Sequence, residues 1–580
     1  MSLRAPYKAL RHPGLVFRPS RRFSVLRRDD LQNTVIHIPK ADIYRFGDPN
    51  FVRPLFRDVE WTVKEGEAWA IVGSGSGEKT SLLQVLLGHL RISPSPPPPG
   101  GLFPFLNSPS SGSPRDPLEC ISIVSFGNRR RAAGGAFYDY TARYGAVREE
   151  DRLTLRQSMF PESQPPEFGL NTNTPENSPP PRLSEQEMQV FNYLVDKMGL
   201  AALLDLPLIA LSNGQTRRAR VIKAILSRPE LLLLDEPLTG LDLQNRPTLL
   251  EILRSLHSAR SPRVILGLRT QDPVPEWITH VAFVKDGKVI TGPKEEVLSA
   301  TEHFHKPQPA GAKISPTPVG ELVVEMKGVG VKYGNRTVLN NINWEIRQGE
   351  RWHLQGTNGS GKTTLLSLLT GDHPQSYTQP HLHLHGLPRH RIPTPHLHSL
   401  VGLVSPELFD AFPRRAGMSV WEAVGTGFDG GFVPLGTHGV GTGIMAPLDE
   451  AGIQWRVRRC QAVIDALGPR SWSNDTRAGE SAEAFAKRAF VDLSVGEQRM
   501  VLLMRALVGR PPLVLLDEVW SGMDEGMVRA ARRYLREGGV GDEQGVVVIT
   551  HWEDEVPWTE EDGVKRFRLD GGEGRVQTLD

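Results

Sequence analysis

Cysteine is nearly missing from this chain of 580 residues: Cys120 and Cys460 are the whole complement, and neither lies near the other in sequence. That excludes a disulfide framework and a CxxC metal site, and it points to a reducing compartment. Long apolar runs are missing too. No stretch approaches the roughly eighteen residues that cross a bilayer as a helix, so a membrane role requires a partner chain. A strong net charge is also absent, with 68 Lys and Arg against 66 Asp and Glu. The chain is 39% hydrophobic and 23% charged, which suits a soluble globular protein of at least two domains.

The charge balance breaks at the start. The first 28 residues carry eight Arg or Lys and no Asp or Glu. Interspersed Ser, Leu, Phe and Val, and RRFS at Arg21 to Ser24, match a mitochondrial transit peptide, so residues 1–30 are expected to direct the chain to the matrix. Pro6, Pro13 and Pro19 interrupt an amphipathic helix, and a basic arm on a cytoplasmic protein is the alternative. Without this segment, 60 basic residues face 66 acidic ones, a formal −6 that argues against general nucleic-acid affinity.

What the chain does have is an internal repeat. GSGSGEKT at Gly73 to Thr80 recurs as GTNGSGKT at Gly356 to Thr363, 283 residues later, and LFRDVEWTVKEGEAWAIVG before the first parallels VLNNINWEIRQGERWHLQG before the second. The second is a complete phosphate-binding loop, in which glycines let backbone amides approach phosphate oxygens and the lysine adds a cation. In the first, Glu78 stands where the second has Gly361. Further on, LSNGQ at Leu211 parallels LSVGE at Leu493, LLLLDEP parallels LVLLDEV, and TGLD at Thr239 parallels SGMD at Ser521, each offset by 282. At that offset Arg269 faces His551.

This ordered, doubled set resembles the nucleotide-binding domain of ABC ATPases and spans nearly the whole chain. The resemblance implies an α/β fold of two P-loop domains, each with a parallel-sheet core, an antiparallel β region and a helical subdomain bearing the LSxG motif. The expected division is domain 1 at 31–303, a proline-rich linker at 304–319 and domain 2 at 320–580. The Pro/Ser/Gly-rich stretches 92–118 and 163–184 read as disordered insertions in domain 1. The short linker departs from translation-type ABC proteins, which join their copies by a long charged helix. VSF at Val124 and VSPELF at Val404 look like the soluble group named after molybdenum transport and photorepair.

The family pairs its domains head to tail, so that each ATP lies between the loop of one and the LSxG motif of the other. One composite site then holds Gly356, Asn358, Gly359, Ser360, Gly361, Lys362, Thr363 and Thr364, with Ser212 and Gly214 arriving from domain 1. There Thr363 and Asp517 would bind Mg²⁺, Lys362 the phosphates, Glu518 would act as general base and His551 would orient the water. The other site joins Gly73, Gly75, Gly77, Lys79, Thr80, Ser81 and Glu236 to Ser494 and Gly496, with Thr80 and Asp235 on the metal. It carries two departures, Glu78 and Arg269. A carboxylate at ~5–6 Å from phosphate opposes each unit of its charge by about 3 kcal/mol at an effective dielectric near ~20, which predicts weak binding or no turnover. Pairing of Glu78 with a cation such as Arg269 is the alternative.

Phe126 and Pro406 stand where transporter ATPases have a glutamine at the membrane junction. Tyr333, with Phe46 as a weaker counterpart, is the expected adenine-stacking aromatic. The histidines between His381 and His398 read as a solvated face, with metal binding as the alternative, and the arginine clusters at 129–131 and 217–220 read as solvated faces or helix pairs, with RNA contact as the alternative. The expected activity is ATP hydrolysis that couples closure to a soluble protein or ribonucleoprotein partner. An ATP-gated switch with little turnover and the ATPase subunit of a transporter are the other two readings.

Overall fold

The computed structural model describes residues 33–47, 54–73, 76–98, 100–107, 115–125, 154–160, 185–206, 211, 213–239, 245–270, 272–285, 287–305, 319–333, 336–357, 359–472, 480–550 and 553–577. The expected N-terminal segment and insertion 163–184 lie outside them, as do 306–318 of the linker.

In the first copy, β1 (Thr34–Tyr44) pairs antiparallel with β2 (Phe56–Lys64), and β3 (Trp69–Gly73) leads into α1 (Ser76–Leu86). Next come β4 (Arg91–Ser93), β5 (Ile121–Ser125), α2 (Asn213–Leu226), β6 (Leu231–Asp235), β7 (Arg263–Arg269), β8 (His280–Lys285) and β9 (Lys288–Pro293). The strands WAIVG and LLLLD are buried at every position, as uniformly apolar runs must be when both faces of a parallel sheet are covered. Their order is β5-β6-β7-β3-β8-β9, with only β9 antiparallel to its neighbour.

The second copy repeats this plan. An antiparallel region holds β10 (Leu322–Tyr333), β11 (Arg336–Arg347), β13 (Leu382–Leu384) and β14 (Leu387–Pro388). The main sheet uses β12 (Arg351–Gly356), β15 (Val401–Val404), β16 (Leu513–Asp517), β17 (Gly545–Ile549), β18 (Lys565–Asp570) and β19 (Glu573–Gln577), in the order β15-β16-β17-β12-β18-β19. Its helices include α3 (Lys362–Thr370), α4 (Pro406–Ala411), α5 (Val495–Val508) and α6 (Glu525–Tyr534). Period-2 geometry divides each sheet between two cores. Leu231 and Leu233 face the antiparallel region while Leu232 and Leu234 face the helices, and Leu513 and Leu515 separate from Val514 and Leu516 in the same way.

The repeat extends to single hydrogen bonds. Glu67 accepts both the Trp69 indole N–H and the Lys64 amide at 2.9 Å, and Glu350 accepts Trp352 and Arg347 at the same distances. Trp61 meets Trp69 edge-on at 5.9 Å, and Trp344 meets Trp352 at 5.5 Å.

The described residues of insertion 92–118, which leave out 99 and 108–114, correct its compositional reading. Ser93 pairs with Asp42 in the β1–β4 ladder, the His37 amide donates to Leu102 O at 3.0 Å, and Phe103, Phe105 and Leu106 are buried beside Trp61 and Leu83. Arg263 lies over the Phe105 ring at 4.7 Å. The apolar LFPFL inside the proline-rich stretch has enough surface to dock, which offsets the cost of ordering it. Among the described residues, no helix is long and apolar enough to cross a membrane.

Candidate functional site

In the second copy the chain leaves β12 at Gly356 and turns through Gly359 (φ +87°) and Gly361 (φ +103°) before α3 begins at Lys362. A side chain is excluded at Gly361: its Cβ would lie 2.6 Å from Leu339 Cδ2, in a left-handed backbone that already disfavours L residues. The first amides of α3 therefore open toward the loop with no capping side chain. Lys362 Nζ donates to the carbonyls of Gly356 at 2.6 Å and Thr357 at 3.0 Å, which curls the lysine over the same concavity. Ser360 Oγ is buried without a hydrogen-bond partner among the described residues. Thr363 and Thr364 sit half-buried on the first turn. An anion with several acceptor oxygens fits this cradle, because it gives acceptors to the uncapped amides and to Ser360 Oγ beside a lysine cation.

At the end of β16, burial first, then Glu407 and Glu518, push the Asp517 carboxyl well above the ordinary range, and Lys362 opposes them. A cation there would remove that penalty, which suits a divalent-metal ligand. Glu407 was not anticipated from the sequence. Its signal is SPE after the strand: Ser405 caps α4 by accepting the Leu408 amide, and Pro406 takes the first helical position. The proline in the glutamine's place thus starts a helix whose first turn carries an acid.

The first copy has the same strand, lysine and threonine in a different local structure. Glu78 replaces the left-handed glycine, and α1 starts at Ser76, three residues earlier than α3 by the repeat's alignment. Glutamate favours the helix, and an acid on its first turn complements the helix dipole. Winding from Ser76 puts the Thr80 amide inside the i→i−4 ladder instead of leaving it for a ligand. Ser81 Oγ likewise donates to Gly77 O at 2.7 Å. The Glu78 carboxylate accepts the Gly287 amide at 2.8 Å.

Lys79 is 0% exposed. Its Nζ lies 2.6 Å from Glu236 Oε1 and 3.9 Å from Asp235, so the lysine is consumed by its own copy's carboxylates. Burial raises the Glu236 carboxyl, but Lys79, Arg269 and Arg217 outweigh it and hold it low; Asp235 is raised, chiefly by burial. Thr80 Oγ1 donates to Asp235 at 2.6 Å, bringing the expected metal pair together. The alternative pairing of Glu78 with Arg269 is corrected. Arg269 bridges Asp272 at 3.1 Å and, across the copies, Glu555 at 3.3 Å. This first cradle does not fit an anion as the second does.

Glu236 and Glu518 share a feature the motifs do not announce. Both have left-handed backbones, φ +55° and +45°, and both donate their amides to the next strand, to Gly267 O and Ile549 O. Each costs roughly 1–3 kcal/mol of backbone strain, which aims the side chain off the strand end.

Several contacts join the copies. Arg217, on α2, places Nη2 3.7 Å from Glu518 Oε2, α5 lies against α1, and Lys285 lies 3.7 Å from Glu525. The solvated-face reading of the 217–220 arginines is thereby corrected: Arg217 and Arg218 are buried, and Arg218 donates to Met198 O at 2.6 Å. Gly214 is buried, and a Cβ at Gly496 would lie 2.8 Å from Gly522 O. Ser494 and Glu497 form a capping box that starts α5. Ser212, Gly75, Asn358, His551, Phe126 and Arg129 to Arg131 lie outside the described residues, as does the side chain of Tyr333. Phe46 is 65% exposed. His383 faces Glu325 between the buried Leu382 and Leu384, and among the described residues no group of three or more acidic, histidine or cysteine side chains is placed to hold a metal.

A family model described as ABC transporter matches residues 135–239 and 339–521. An uncharacterized ABC transporter ATP-binding protein of Schizosaccharomyces pombe is 31% identical over 531 residues, covering 89% of this chain and 96% of the relative. The ABC transporter ATP-binding protein ModF of Escherichia coli is 28% identical over 511 residues, covering 86% and 90%. Among solved structures, a chain from the model of ribosome-bound archaeal Pelota and ABCE1 aligns with a TM-score of 0.53 at 16% identity, covering 93% of this chain and 78% of that one, a likeness of fold.

Proposed function

The chain belongs to the ABC transporter ATP-binding family, with two ABC-type ATP-binding domains, and from that premise we propose a tandem ATPase that turns over at the second copy's loop. The supporting observation is the contrast between two lysines: Lys362 lies over an open turn, and Lys79 is buried in an ion pair with Glu236. The division is 31–303 and 320–580, paired head to tail; Arg217 against Glu518 and α5 against α1 support that pairing. ATP with Mg²⁺ supplies the phosphoanhydride bond and the cation. Lys362 and the amides from Gly359 to Thr364 hold phosphate oxygens, and Thr363 and Asp517 hold the metal. Glu518 takes the proton of the attacking water, His551 orients it, and Ser212 with the Gly214 amide closes the cage from the first copy. The first site, around Lys79, Thr80 and Asp235, holds nucleotide weakly or without turnover.

Closure serves a soluble protein or ribonucleoprotein, and the loss of the junction glutamine at Phe126 and Pro406 supports that over a membrane partner. Identity to ModF supports placement in the molybdenum-transport and photorepair-like group. The basic segment 1–30 supports a mitochondrial matrix location, testable by fusing it to a reporter. Steady phosphate release is the direct assay: Glu518→Gln should reduce turnover at least ~100-fold, while Glu236→Gln retains most of it. Equal losses would sink the assignment of unequal sites.

A further inference from the structure

A continuous line of polar contacts runs from the first copy's loop to the second copy's acid. Lys79 Nζ meets Glu236 Oε1 at 2.6 Å. Thr239 Oγ1 donates to the other oxygen, Glu236 Oε2, at 3.4 Å. Arg217 Nη1 donates to Thr239 O, and Arg217 Nη2 lies 3.7 Å from Glu518 Oε2. Lys79, Glu236, Thr239 and Arg217 are all buried, so their charges act on one another with little screening by water. The repeat's counterpart of Arg217, Arg499, lies over the Phe409 ring at 4.5 Å; burial lowers its guanidinium, and Glu518 is the first of the carboxylates that oppose this.

We infer that Arg217 is a positioning residue for Glu518, and that the Lys79–Glu236 pair keeps it there by neutralising the nearer acid. Arg217 stands between two glutamates. While Lys79 satisfies Glu236, the guanidinium is left to serve Glu518, whose backbone is pinned to Ile549 O and whose carboxylate it reaches from the other copy. Without Lys79, Glu236 would draw Arg217 toward itself through the Thr239 segment. The degenerate loop then works as a strut, held by its own ion pair. This rests on the proposed turnover at Glu518 and adds the residue from the other copy that orients it.

Steady-state turnover of the full chain supplies the measurement. Arg217→Met should lower kcat about tenfold with the KM for ATP changed by less than about twofold, and Arg217→Lys should recover at least roughly a third of the loss. Lys79→Met, in the other loop, should lower kcat about fivefold, and Lys79→Met/Glu236→Gln should restore most of it by removing the stranded acid. Adding Lys79→Met to Arg217→Met should cost nothing further. Thr239→Val keeps the carbonyl that Arg217 bonds and deletes only the hydroxyl step, so alone it should change kcat by less than about twofold, and added to Lys79→Met it should recover part of that loss. Losses that multiply to about fiftyfold in the Lys79/Arg217 double variant would overturn the inference, as would no recovery with Arg217→Lys. If Glu518→Gln keeps its turnover, the parent reading falls and this one with it; multiplicative losses with Glu518→Gln inactive sink the strut alone.

Discussion

Lys79 and Lys362 occupy the same step of the same repeated loop, yet one is sealed against two carboxylates and the other reaches over an open turn. The strands before them, the tryptophan pairs beneath them and the acids beside them match almost atom for atom. What differs is the loop itself: every residue from Ser74 to Glu78 is exchanged, and Ser76 and Glu78 stand where Gly359 and Gly361 take positive φ. Glycine adopts the φ +103° step that ends the second loop without strain; a side chain resists it, and in the first copy the helix winds backward from Glu78 to Ser76. A phosphate loop is thus a conformation before it is a set of side chains, and its left-handed glycines decide whether its amides face a ligand or each other.

The harshest way to break this contrast is to write the first loop into the second. Gly361→Glu must either force a side chain into Leu339 or rewind α3, and both remove the cradle. ATP-dependent turnover should fall at least ~1000-fold, about 4 kcal/mol of transition-state stabilisation. Phosphate release measured beside Gly361→Ala would separate bulk from backbone, since alanine also resists φ +103° and should lose nearly as much. Wild-type turnover in Gly361→Ala would contradict the conformational account.

Much of this architecture was legible because it is written twice: the repeat exposed both loops, both strand-end acid pairs and both LSxG helices before any coordinate. The misreadings share a cause. Composition and charge runs describe a segment alone, whereas Phe105 and Arg217 take their meaning from partners over a hundred residues away, Arg263 and Glu518. Arg217 looked like part of a solvated cluster because nothing local shows a carboxylate arriving from the other copy. Glu78 was visible as a departure, but its direction was not; only the rewound helix turns it from the phosphate side to Gly287.

A second contrast lies at Arg269, which holds the first copy's place for His551. Its guanidinium answers Asp272 and Glu555, and those carboxylates, with Glu236, outweigh burial to keep it firmly charged. Arg269→Ala would strand the buried Asp272 and should destabilise the chain by about 3 kcal/mol, read as a lower denaturation midpoint. Glu555→Gln breaks only the cross-copy arm and should cost less. An Arg269→Ala midpoint equal to wild type would mean that the bridge holds nothing.

The gentlest intervention runs the other way. Glu78→Gly returns the left-handed option to the first loop and releases the Gly287 amide, yet it leaves Lys79 paired with Glu236, so relief should be partial. A gain of about tenfold in nucleotide affinity at that site, near 1.4 kcal/mol, is expected by titration in a Lys362→Ala background that silences the second loop. Adding Glu236→Gln should free the lysine and raise the affinity further. If Glu78→Gly binds no better but Glu236→Gln does, the ion pair and not the loop's conformation closes the first site, and the order of causes argued from the two lysines must be reversed.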